Sequence, residues 1–192
     1  MNYVPPRRSD GTIQTRRMPQ PWPKDRPFRI LSIDGGGICG ILPAADLAEL
    51  EQRFLQGQSI AGYFDMIAGT STGGIIALGL ANGRTAAEIR DIYTERGGNI
   101  FPPTSKLGQV LRLVAQGHRT IYKRRPLEDE LLRIFGEATF GEAKTRLCIP
   151  AFEGRYGEPW IFKTPHHPDY KRDQSERMVT IAMSTAAAPT IF

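Results

Sequence analysis

Cysteine and histidine are scarce in this chain, two of the first and three of the second in 192 residues. Cys39 and Cys148 lie far apart, and neither stands with a histidine at ligand spacing. That argues against a disulfide framework and against a zinc knuckle, and it makes a reducing cytoplasm the expected setting. No metal and no cofactor are expected. Behind the charges of the first residues, Met1-Asn2-Tyr3-Val4-Pro5-Pro6-Arg7-Arg8, there is no apolar stretch, so no signal peptide is expected. Neither sign of charge dominates: 25 Lys and Arg face 20 Asp and Glu, a net charge of +5. An excess that small gives no reason to expect a nucleic-acid partner. The longest uncharged run, Met66 to Gly83, contains Gly-Thr-Ser-Thr-Gly-Gly near its start. Such a segment is too polar and too flexible for a lipid-facing helix, and it reads as a buried strand, turn and helix.

What is present divides the chain in two. Residues 1–27 hold six prolines and much of the positive excess, with Arg7, Arg8, Arg16, Arg17, Lys24 and Arg26 against Asp10 and Asp25. This stretch reads as an extended basic arm, suited to an anionic surface and more simply a solvated tail. Residues 28–192 carry the periodicity of a folded domain. Strands are expected at Phe28–Ile33, Tyr63–Ala68, Arg146–Phe152 and Pro159–Lys163. Helices are expected from Ile38 to about Gln56, with Leu47, Leu50 and Phe54 on the apolar stripe, and over Ile75–Ala81, Ala86–Arg96, Leu107–Ala115, Pro126–Phe135 and Met178–Thr185. Strands alternating with helices imply an α/β domain whose largely parallel sheet is covered on both sides.

Two glycine motifs carry the chemistry. In Gly69-Thr70-Ser71-Thr72-Gly73 a serine stands between glycines at a strand-to-helix corner, the pattern of a nucleophile elbow. In such a turn the serine oxygen projects from the end of the sheet, and the helix behind it aims its first N–H groups at any negative charge forming there. The second motif, Gly35-Gly36-Gly37-Ile38-Cys39-Gly40, fits the G-x-G-x-x-G fingerprint of a dinucleotide site. That reading needs an acidic residue ending a second strand some 20 residues on. Glu49 and Glu51 fall inside the expected helix instead. A different use accommodates both motifs: bare amides of Gly35, Gly36 and Gly37 as an oxyanion hole for Ser71.

Together, Asp34-Gly35-Gly36-Gly37-Ile38-Cys39-Gly40, Gly69-Thr70-Ser71-Thr72-Gly73-Gly74 and Ala186-Ala187-Ala188-Pro189 resemble the patatin-like phospholipases in order and separation. The resemblance covers about Arg29 to the end. It implies a three-layer α/β/α core and a Ser–Asp dyad without histidine, acting on membrane phospholipid or another acyl lipid, with peripheral membrane contact. Ser71 maps to the nucleophile, Gly35, Gly36 and Gly37 to the oxyanion loop, and Gly40, Gly69 and Gly73 to the motif glycines. Bacterial members include effectors of nucleotide-signalled phage defence, which brings in cyclic-nucleotide activation by analogy. Two positions depart from the family pattern. Cys39 stands where Arg or Lys is common. The family's aspartate lies in an Asp-Gly-Gly or Asp-Gly-Ala shortly after the Ala-Ala-Pro segment, so it is expected beyond Phe192. The alternatives are a non-catalytic lipid- or nucleotide-binding module on the same fold and, more weakly, a dinucleotide-dependent enzyme.

Other polar residues have plainer readings. Asp34 is expected to anchor the amides of the glycine loop, and Asp65 to sit at a buried edge or cap. His166 and His167 could complete a triad but read as loop residues, and His118 as a surface residue. Tyr122-Lys123-Arg124-Arg125 reads as a solvated lead-in to a helix. Glu128, Asp129 and Glu130 are expected at that helix's first turn, where its dipole favours them.

Overall fold

The computed structural model describes residues 23–100, 124–167 and 170–187, the side chains of residues 99 and 100 excepted. The basic arm up to residue 22, the helix expected over Leu107–Ala115, His118 and the pair Tyr122-Lys123 lie outside them. Four strands form one sheet in the order β1-β2-β3-β4: β1 Ile30–Ile33, β2 Met66–Gly69, β3 Arg146–Glu153 and β4 Glu158–Lys163. β1, β2 and β3 are parallel, with Ile33 opposite Gly69 and Met66 opposite Arg146. β4 returns antiparallel along β3, from Glu158 beside Glu153 to Lys163 beside Cys148. Helices α1 Ile41–Phe54, α2 Thr72–Ala81, α3 Ala86–Ile100, α4 Arg124–Phe135 and α5 Met178–Ala186 complete the layered α/β arrangement. α1 packs on α3, α2 lies across β1, β2 and β3, and α5 packs on α2, α4 and β3.

The core is centred on α2, all ten residues of which are buried. A helix apolar on every side has no solvent face to offer, which is why its sequence shows no amphipathic stripe. Ile76, Leu78 and Leu80 are wholly enclosed, each stabilising the fold by roughly 1.5–3 kcal/mol. Just past the end of α2, Gly83 takes a left-handed φ of +93° and turns the chain away.

α1 departs from its expected face. Leu50 and Phe54 point outward, Phe54 being 72% exposed, and the buried positions are Ala44, Leu47, Ala48 and Glu51. Glu51 is inside because it collects donors from two chain segments. One carboxylate oxygen accepts from the Ile60 amide at 2.8 Å and the other from the Ala86 amide at 2.7 Å. Satisfied this way, the carboxylate fastens α1 to the start of α3. The helix is also shorter at its front than expected, because Gly37–Gly40 forms a 3-10 turn ahead of Ile41.

Two acidic residues settle into structural roles. Asp65 accepts from both Nη atoms of Arg26 at 2.7 Å and from the Arg29 amide at 2.8 Å, which fixes the corner entering β2. The Arg26 hydrogen bonds, then the Arg29 amide, hold its carboxyl down at about 2. Because the folded value is depressed, this tie is complete at neutral pH and is lost as pH falls through the interval from the ordinary carboxylate value, about 4, toward 2. Glu130 is not in a first turn, since α4 begins at Arg124. It is buried and reaches Arg96 of α3 at 2.8 Å, so an ion pair between helices, and not the helix dipole, accounts for it.

Candidate active site

β2 ends at Gly69, and after Thr70 the chain turns sharply into α2 through Ser71. Ser71 has φ +55° and ψ −123°, a conformation that costs a residue with a side chain roughly 1–3 kcal/mol. Several contacts hold it there. Its amide donates to Thr185 Oγ1 of α5 at 3.0 Å, and Thr185 donates onward to the Pro150 carbonyl of β3 at 2.6 Å. The Ser71 carbonyl accepts from Ile75, and the Thr70 carbonyl from Gly73, both at 3.0 Å. The turn admits no bulk. A Cβ on Gly69 would lie 2.3 Å from the Gly73 carbonyl oxygen, and one on Gly73 would lie 2.2 Å from that of Ile33.

The Gly35–Gly37 loop comes off the end of β1 beside this corner. A Cβ on Gly35 would stand 3.0 Å from Ser71 Cβ and from the Thr70 carbonyl, so the two loops touch at one rim of the sheet. The Gly36 amide donates to Thr72 Oγ1 at 3.0 Å. Gly37 takes φ +57°, and a Cβ on Gly40 would lie 3.0 Å from Thr72 Cβ. Asp34 does not anchor the loop; it is exposed, and Thr72 performs that task because its hydroxyl lies directly across from Gly36. Cys39 is an exposed free thiol at the start of the helical segment. A groove of about 390 Å³ leads away from Gly35 and Gly36 between Ile33, Leu42, Pro43 and Leu47.

His166 and His167 are not part of this rim. β4 runs opposite to its neighbours, so its last residue, Lys163, sits beside Cys148, near the start of β3, and His166 follows at the other end of the sheet. Thr72 and Thr185 are the site residues that sequence reasoning passed over. Thr72 had a local signal, the hydroxyl directly after Ser71 in the motif. Thr185 had only its position ahead of Ala-Ala-Ala-Pro. Among the described residues, no side chain hydrogen-bonds the Ser71 hydroxyl. Nor is any helix among them long and apolar enough to cross a membrane.

Comparison with known proteins agrees with this geometry. The profile of the patatin-like phospholipase family matches residues 31–192. A cGAMP-activated phospholipase of Vibrio cholerae is 39% identical over 174 residues, covering 85% of this chain and 49% of that protein. Patatin-like protein 2 of Oryza sativa subsp. indica is 38% identical over 178 residues, covering 85% of this chain and 43% of that protein. Among solved structures, the type III effector ExoU superposes with a TM-score of 0.51 at 18% identity, over 85% of this chain and 40% of that one, a likeness of fold. The chain thus spans about half the length of the curated relatives it matches. With the two glycine motifs joined at one rim and the family profile running through both, the chain belongs to the patatin-like phospholipase family.

Proposed function

We propose that this chain carries the nucleophile and oxyanion loop of a serine lipid acyl hydrolase. The observation that supports it best is the strained Ser71 with Gly35 packed against its side chain. In this reading Ser71 Oγ attacks the carbonyl carbon of an acyl ester, and the hydroxyl proton passes to the aspartate that the resemblance places after the Ala-Ala-Pro segment. The tetrahedral oxyanion is held by loop amides about 2.7–3.1 Å away, a role worth roughly 3–4 kcal/mol per donor in comparable sites. The Gly36 amide is already given to Thr72 Oγ1, so of the three expected donors Gly35 and Gly37 are left to serve the developing charge in this reading, together with the first N–H of α2. The departing oxygen takes that proton from the aspartate and leaves as the alcohol. Water, giving a proton to the same carboxylate, then attacks the acyl-enzyme, and the proton returns to Ser71 Oγ as the fatty acid is released. The substrate is a membrane phospholipid or another acyl lipid. Exposed Ile38 and Leu42, beside the glycine loop, suit peripheral contact with a lipid surface. The cGAMP-activated relatives extend the proposal to activation by a cyclic nucleotide.

A fluorophosphonate probe tests the nucleophile directly. Covalent mass should appear on the Ser71 peptide of the intact protein and on no other. Absence of labelling under conditions that support lipid hydrolysis would refute the assignment; absence of both favours a non-catalytic lipid- or nucleotide-binding module.

Thr185 acts in this scheme as a positioning residue. Thr185→Val leaves the Ser71 amide and the Pro150 carbonyl without their partner, each a loss of about 1–3 kcal/mol if nothing replaces it. The expected result is a kcat lower by about tenfold or more with KM nearly unchanged, because the hydroxyl is misplaced but the groove is not. Thr185→Ser should restore most of the rate. A variant that loses stability alone, with kcat intact, would remove Thr185 from the mechanism.

A further inference from the structure

A pocket of about 450 Å³ opens at the rim of the sheet opposite Ser71, where β2 and β3 begin. Lys144, Arg146 and His166 line it, with Phe64, Thr145 and the single carboxylate Asp65. That carboxylate is already neutralised, since Arg26 grips both of its oxygens at 2.7 Å and the Arg29 amide adds a third bond at 2.8 Å. The pocket therefore carries a net positive field. Lys144 is exposed and has no carboxylate partner among the described residues; its side chain runs along Gly83 just past α2, from where it can swing to the pocket mouth. Arg146, half-buried, donates from Nη1 to the Asp65 carbonyl at 3.2 Å, which holds its guanidinium at the wall.

The third group is oriented by a buried hydroxyl. Thr164 Oγ1 accepts from the Leu147 amide at 2.9 Å and lies 2.9 Å from His166 Nδ1. This contact fixes the plane of the imidazole at the pocket wall, whichever of the two groups donates. The Tyr170 ring packs edge-on against the imidazole, centroids 5.1 Å apart. Partial burial, then the nearby charges of Arg146, His167 and Lys163, push the His166 value below the usual histidine range. An anion entering here would relieve that crowding of positive charge.

The geometry points to a binding site for a phosphate-bearing small molecule at this rim, separate from the hydrolytic rim. An anchored guanidinium and an imidazole at a pocket of ligand size, with an exposed ammonium within a side chain's swing, match the accepting oxygens of a phosphodiester. Phe64 offers an apolar flank for the remainder of such a molecule. Both a nucleotide and a glycerophosphate headgroup carry this chemistry, and the experiment separates them.

The test is isothermal titration calorimetry of the intact protein with 3′,3′-cGAMP and with glycerophosphoglycerol, with inorganic phosphate as competitor. Saturable submillimolar binding of at least one ester, displaced by phosphate and weakened by salt, is expected. Lys144→Gln and Arg146→Gln should each weaken it about tenfold or more, the size of one charge-assisted hydrogen bond. Lys144 is the cleaner position, because its exposed side chain breaks no ion pair when replaced, and glutamine keeps the methylenes that run along Gly83. Tighter binding of the cyclic dinucleotide assigns a nucleotide ligand, and tighter binding of glycerophosphoglycerol assigns a headgroup; either supports the site. Ser71→Ala should bind with unchanged affinity, so the outcome is independent of the hydrolase reading. No saturable binding of either ester, or binding indifferent to both substitutions in proteins that melt as the parent does, would overturn the site.

Discussion

Ser71→Ala is expected to reduce acyl-ester hydrolysis by the protein by at least about a thousandfold, to the level that loop amides and binding alone can sustain. The substitution removes one oxygen and little else. The hydrogen bond to Thr185 comes from the Ser71 amide, so it survives. The hydroxyl has no side-chain partner among the described residues, so no second group is stranded. Stability should therefore stay within about 1 kcal/mol of the parent, and loss of rate can be read as loss of the nucleophile. Ser71→Gly sharpens the test. Glycine tolerates φ +55° at no steric cost, so this variant should be equally inactive yet more stable, by up to about 1 kcal/mol in urea unfolding. Strain retained at a residue whose removal stabilises the fold is what a catalytic elbow requires. Hydrolysis persisting at near-parental rate in Ser71→Ala would end the proposal.

The turn was legible because much of its cause is local: Gly69 is demanded by the backbone of Gly73 and Gly74 a few residues on, although Gly73 itself answers to the distant carbonyls of Ile33 and Asp34. The parallel arrangement of β1–β3 followed from strands separated by helical periodicity, which is also sequence-local. Where the cause was distant, the sequence misled. Leu50 and Phe54 sit at helical spacing with Leu47, yet Glu51 is the residue turned inward, because two amides from other segments converge on it. Glu130 looked like a helix-start carboxylate and is an interhelical one, paired with an arginine 34 residues earlier. Thr185 lies 114 residues from the amide that it holds, and no spacing rule reaches that far. Asp34 was assigned a task that Thr72 performs, since two candidate acceptors flank the loop and only their placement decides between them.

Gly73→Ala should be the most damaging single-methyl addition in the site. The new Cβ would meet the Ile33 carbonyl oxygen at 2.2 Å, the Asp34 oxygen at 2.6 Å and the Ile33 carbonyl carbon at 2.7 Å. All three are backbone atoms at the end of β1, and the Ile33 oxygen also accepts from the Thr70 amide at 3.2 Å. Relief therefore cannot come from rotating a side chain. Either α2 lifts off the sheet or β1 shifts and gives up its bond to the elbow, and both move Ser71 away from Gly35. The cost should reach about 3 kcal/mol or more, lowering Tm by roughly 6–12 °C in a domain of this size. Activity should fall even in the fraction that stays folded. Gly98 of α3 supplies the matched control, being exposed with nothing within 4 Å of an added Cβ. There the same substitution fills no space and improves helix propensity, so Gly98→Ala should stabilise by up to about 1 kcal/mol. Urea titrations of the two variants beside the parent would therefore show midpoint shifts of opposite sign. A Gly73→Ala protein that unfolds at the parental midpoint would mean that β1 and α2 do not meet as closely as the proposed oxyanion geometry needs.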